Sequence, residues 1–133
     1  MDATHVEVNG REPEIVGRAC EGMVAIEHSY AGTLVEPANV VFLRFAGRWH
    51  RLYFDYATVF WREDSDGPQG FTAEELEASF RPVDLGGVFG VQDAVLKEVT
   101  YVALKSGAAV HLRFTNGKLV RFECKDDVTG YSA

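Results

Sequence analysis

Cysteine, proline and methionine are scarce in this chain: 133 residues hold two, four and two of them. Cys20 and Cys124 stand too far apart to suggest a disulfide framework, and both read as small core residues. No apolar run approaches the ~20 residues that cross a bilayer. Met1 to His5 lack the basic and apolar regions of a signal peptide. A cytoplasmic protein outside the membrane is the expectation. Positive charge is also short, since 13 Lys and Arg face 20 Asp and Glu, for a net charge of -7 and a pI near 5.0. That balance repels phosphate backbones, so no nucleic-acid partner is expected, and it favours a basic protein.

Spacings that would carry chemistry are missing as well. His5, His28, His50 and His111 are scattered, with no Cys-x-x-Cys and no His-Glu-x-x-His, so no metal and no cofactor are expected. Hydrolase elbows, phosphate loops and the dinucleotide fingerprint are absent. Gly86, Gly87 and Gly90 lack a following Lys-Ser/Thr and read as a structural turn. A catalytic group of His50, Asp55 and Tyr53 would have to be assembled by folding, because local spacing does not define one.

What the chain does have is β pattern. An apolar fraction of 47% with 25% charged residues is ordinary for a globular domain, and this length suffices for one core. Residues 40–61 contain eight of the sixteen aromatic residues. Val41, Leu43 and Phe45 alternate with Phe42 and Arg44, Ala46-Gly47 marks a turn, and Trp49 to Phe54 runs back. The register of this hairpin stays open between a two- and a three-residue loop. A weak strand is read at Thr4 to Val8, and another at Val24 to Tyr30 with Val24, Ile26 and Tyr30 on one face. Thr58 to Trp61 gives a short strand and Ala94 to Leu104 a longer one. Val110, Leu112 and Phe114 should pair with Lys118, Val120 and Phe122 around Thr115-Asn116-Gly117, with glycine in the left-handed position. One helix is predicted over Ala73 to Phe80: Thr72 and Glu75 form a capping box, Phe71 and Leu76 a hydrophobic staple, and Pro82 a stop.

A shift of 69 residues superposes Pro13 on Pro82, Gly17 on Gly86, Ala25 on Ala94, Val41 on Val110 and Leu43-Arg44-Phe45 on Leu112-Arg113-Phe114. These are seven identities over 33 positions, where composition alone gives about two. The reading is a single mainly-β domain built from two duplicated antiparallel units, residues 13–61 and 82–131, with an acidic helical linker 62–81 between them. About eight strands should form a sandwich or a partly closed barrel.

Such a duplication sorts residues by role. What only one half carries is free for function: the set Trp49, His50, Tyr53, Tyr56 and Trp61, and the linker with its six acids and two arginines. The function expected is a non-enzymatic binding module, an acidic protein of inhibitor or immunity type, whose Trp61, Glu63, Asp64, Asp66 and Phe71 meet a basic partner. A sheet face bearing Arg44, Arg51 and Arg113 is the alternative surface. A small-ligand-binding β domain and an enzyme of unrecognised type are the alternative functions. The sequence specifies no oligomeric state.

Overall fold

The computed structural model describes residues 6–73 and 77–133. Eleven strands and one short helix follow in order: β1 (Glu7–Asn9), β2 (Cys20–Tyr30), β3 (Thr33–Phe45), β4 (Arg48–Asp55), β5 (Thr58–Asp64), β6 (Phe71–Ala73), β7 (Ala78–Asp84), α1 (Leu85–Phe89), β8 (Leu96–Leu104), β9 (Gly107–Phe114), β10 (Leu119–Lys125) and β11 (Val128–Ser132). A seven-stranded sheet has the order β1-β5-β4-β3-β2-β7-β6, and a four-stranded sheet the order β11-β10-β9-β8. They pack as a sandwich, and neither closes into a barrel. All pairings are antiparallel except that of β1, which lies parallel to β5.

The core is made by alternate residues of the facing strands. Met23, Ala25, Val41, Leu43, Phe45, Leu52, Val59 and Trp61 come from the first sheet, and Leu96, Val110, Leu112, Phe114, Val120 and Phe122 from the second. Ile15, Leu85 and Val91 plug the layer from connecting segments. Both thiols are buried and unpaired, and burial pushes that of Cys20 up to about 11. On β2 the core face carries Met23 and Ala25, not Val24 and Ile26 as the branched residues suggested. The opposite face is also well covered, with Ile26 and Phe42 buried there, so size alone could not tell the two apart.

Each half contributes a four-stranded meander of the same order, β2 to β5 and β8 to β11. Val41, Leu43 and Phe45 sit in the first where Val110, Leu112 and Phe114 sit in the second. The 69-residue shift fails earlier in the chain. Met23 pairs with Leu43 but Val99 with Leu112, a shift of 76, because the β2–β3 hairpin is seven residues longer than the β8–β9 hairpin. Ala25 therefore lies within β2 while Ala94 precedes β8. Pro82 is part of β7, beside Ile26, and opens no second unit.

The predicted helix at 73–80 is not found. Ala73 ends β6 and Ala78 begins β7, a hairpin on the free edge of β2, while Glu75 and Leu76 lie outside the described residues. An unpaired β2 edge offers seven residues of ladder, from Val24 to Tyr30, and that tertiary pairing overrides a local capping signal. The linker 62–81 is thus strand at both ends. The helix forms at Leu85–Phe89 instead, among glycines read as a turn. The Asp84 carboxylate accepts from the Gly87 N–H at 3.2 Å, and Gly90 closes it at φ 70°. Likewise β1 is Glu7–Asn9, while Thr4 and His5 lie outside the described residues.

A backbone clasp joins the sheets. Gly17 N–H donates to Leu96 O (2.8 Å), Leu96 N–H to Arg18 O (2.9 Å), Cys20 N–H to Ala94 O (2.8 Å) and Asp93 N–H to Cys20 O (2.7 Å), around the bridge Ala19–Val95.

Candidate functional site

The inner face of β3, β4 and β5 outruns the core. Its rows read Val41-Leu52-Trp61, then Leu43-His50-Glu63, then Phe45-Arg48. Polar side chains replace apolar ones where the second sheet no longer covers the first. Over this end passes the segment after β1. Gly10 turns it at φ 90°, and a Cβ there would lie 2.3 Å from both Arg62 Nη1 and Trp61 O, so only glycine passes. Ile15 is driven into the core.

Two devices hold that segment. Arg62 donates to Asn9 O (3.1 Å), Asn9 Oδ1 (2.6 Å) and Trp61 O (2.7 Å). Trp61 Nε1–H donates to Tyr101 Oη at 2.9 Å, and the Tyr101 hydroxyl donates in turn to Glu12. Burial, and next the bond to Glu12, hold the Tyr101 phenol well above its ordinary range. This chain of bonds ties the first sheet, the second sheet and the N-terminal segment together.

Between the segment and the sheet end lies an open cleft of about 750 Å³. Arg11, Arg18, Arg48 and Arg62 line it with Glu12, Glu14, Glu63 and His50, so four cations meet three acids on a chain of net charge -7. Phe45, Ile15 and Trp61 close the floor and are each 1% exposed. His50 is half-buried and has no hydrogen-bond partner among the described residues. Burial lowers its pKa below the ordinary 6.5; Glu63 opposes this and Arg48 adds to it.

The pH dependence follows from that direction. His111, on β9, is also lowered, by burial and then by Arg121 and Arg113, with Glu123 opposing. Both imidazoles are more basic in the unfolded chain, which therefore binds more protons between the unfolded and folded pKa values. Their contribution is present in full above pH 6.5 and is lost as pH falls through the folded values. Urea denaturation at pH 7.5 and pH 5 should show a smaller loss of stability for His50→Gln/His111→Gln than for the parent. An equal loss in both would remove the histidines from the account.

The residues singled out by sequence are not gathered here as a set. Trp61 is a core residue at the floor of the cleft. Glu63 pairs with Arg48 at 3.2 Å on the inner side. Asp64 points to the outer face, where its Oδ1 accepts from the N–H of Asp66 (2.9 Å) and Gly67 (3.2 Å). Its Oδ2 stands 3.1 Å from Arg51 Nε, off the N–H axis, so the contact is an ion pair without a hydrogen bond. Asp66 is exposed. Phe71 lies in β6, and its side chain is outside the description.

Arg44 and Arg51 do share the outer face of the first sheet, over Trp49 and Tyr53 respectively at 5.9 Å. Arg113 is on the other sheet, beside a separate small cavity with Lys97 and Thr115, so the three make no common surface. His50 faces inward and Tyr53 and Asp55 outward, which separates the catalytic group considered above. His28 stacks on Phe80 at 4.5 Å. Sequence reading missed Arg18, Glu12 and Tyr101, which carry no local pattern and meet only through the fold. Among the described residues no three His, Cys, Asp or Glu side chains gather as a metal site, and no helix is long and apolar enough to cross a membrane.

Comparison with known protein families, with curated proteins and with solved structures finds no match for this chain.

Proposed function

We propose that the protein is a binding domain whose small, polar ligand occupies the cleft between the N-terminal segment and the end of the first sheet. The observation that carries this reading is His50: a half-buried imidazole with no partner among the described residues, facing a space ringed by arginines. Among the described residues only Arg51 Nε is a buried side-chain polar atom without a partner, so the ring nitrogens of His50 reach the solvent of the cleft and are open to a ligand. The volume lies within the usual range for small-molecule sites, about 300–1,000 Å³. A closed floor directs the ligand to the polar walls.

The test is equilibrium dialysis of the protein against a small-molecule extract, with retained compounds identified by mass spectrometry and mapped by amide chemical shifts. A saturable compound that moves Gly10 to Arg18 and Arg48 to His50 supports the reading. Retained compounds that map elsewhere overturn it.

A second reading keeps the expected module for a basic protein partner. The longer β2–β3 hairpin favours it, because it carries Tyr30, Leu34 and Val35 at 54%, 49% and 47% exposure on an acidic chain. Here reversal of Glu63, Asp64 and Asp66 to lysine separates charge-steered docking, which slows, from docking on the apolar hairpin, which does not.

A further inference from the structure

We infer that the cleft takes the anionic group of its ligand, a carboxylate or a phosphate, with Arg18 and Arg48 as the clamp and Glu63 as the internal carboxylate that the ligand displaces. This rests on the cleft reading above and adds the chemical class. The four guanidinium groups are not equivalent. Arg62 is spent on Asn9 and the Trp61 carbonyl. Arg11 pairs with Glu14 at 3.7 Å on the outer rim, where both side chains are almost fully in solvent. Arg18 uses only its Nε, on the Glu14 carbonyl at 3.2 Å, which leaves its two Nη groups without a partner among the described residues. Arg48 holds Glu63 through one nitrogen at 3.2 Å, a pair largely in water.

A solvent-exposed pair of that kind is weak. An incoming carboxylate or phosphate can engage a guanidinium through two parallel bonds, which a single 3.2 Å contact does not supply. Four arginines against three glutamates leave the cleft lining net positive on a chain of net charge -7, so an anion is repelled less there than by the chain as a whole. His50 adds a proton-dependent arm. An anion beside it raises its basicity, so binding takes up a proton and tightens as pH falls.

The experiment titrates the full chain with sulfate, citrate and glucose 6-phosphate, with glucose and spermidine as neutral and cationic comparisons, followed by amide shifts. The three anions should saturate the signals of the cleft, with citrate against glucose 6-phosphate separating carboxylate from phosphate preference. Arg18→Ala and Arg48→Ala should each weaken binding about tenfold, and Arg11→Ala less than about twofold. Arg18→Gln keeps the test valid if the alanine loosens the segment. Glu63→Gln should tighten binding about fivefold, because a competitor for Arg48 is removed. Sulfate, whose charge is constant from pH 7.5 to 5.5, should bind tighter at the lower pH in the parent and not in His50→Gln. Anion shifts unchanged in Arg18→Ala and Arg48→Ala would overturn the clamp. Saturation of the cleft by glucose or spermidine alone would overturn the anionic class and leave the cleft reading standing. Binding that maps away from the cleft would overturn both.

Discussion

Replacing Gly107 by alanine is expected to lower the midpoint of thermal unfolding by about 10 °C or more. A Cβ built there would lie 1.8 Å from the carbonyl oxygen of Cys124 and 2.8 Å from its carbon. Both atoms are backbone of the neighbouring strand, with Gly107 paired to Lys125 and Cys124 to Ala108, so no side-chain rotation can relieve the clash. The strands β9 and β10 must part, at a cost of about 3 kcal/mol or more. A 133-residue domain has on the order of 7–20 kcal/mol in total. Gly130 is the control: its Cβ would meet nothing within 4 Å, and its φ is outside the left-handed region. Gly130→Ala should therefore stay within about 0.5 kcal/mol of the parent. A calorimetric midpoint for Gly107→Ala equal to that of Gly130→Ala would mean that this close crossing of β9 and β10 is wrong.

Trp61→Ala should cost about 3–5 kcal/mol, because the largest buried side chain is lost from a close-packed layer. The more informative substitution is Trp61→Phe. It keeps most of the volume and removes the donor to Tyr101, for about 1–2 kcal/mol. Tyr101→Phe removes both bonds of the same chain. Since the two residues share one bond, the double variant should cost less than the two single costs added together, as measured by urea denaturation. Strict additivity would show that the bond contributes nothing. Only Tyr101→Phe also releases Glu12, so amide shifts over Gly10 to Arg18 should change in that variant.

The strands and the second hairpin were legible because their signals are local. Thr115-Asn116-Gly117 makes the expected turn, with Gly117 at φ 89°, and Leu112 faces Val120. In the first hairpin the sequence left two registers open. The structure takes the two-residue loop: Ala46 and Gly47 both have positive φ, and Phe45 pairs with Arg48. Only the pairing of whole strands decides this, because it places His50 on the core side and Trp49 outside. Trp49 then packs against Gly22 and Gly67, where a Cβ would approach to 2.9 and 2.7 Å. A run of acids and breakers gave no sign that the 65–70 loop folds back onto this indole.

The helix at 73–80 failed for a related reason. A capping box states what the segment prefers alone, and the free edge of β2 is invisible until the meander exists. The cleft was legible only as scattered charges. His50 was noticed as a residue, but Arg18 and Glu12, which line the cleft with it, come from the N-terminal segment, and Tyr101, which holds Glu12, comes from the other sheet.

The clasp at Ala19 and Val95 belongs to the long-range contacts of this chain, which are expected to form after its hairpins. Every pairing within the two meanders joins strands adjacent in sequence, and such local contacts form early at small entropic cost. The clasp joins positions 76 apart, so its closure costs more entropy than a hairpin's and is expected to follow the hairpins. Its four hydrogen bonds flank the buried Cys20. In hydrogen exchange these amides report on the docking of the two sheets, while the hairpin amides report on each sheet separately.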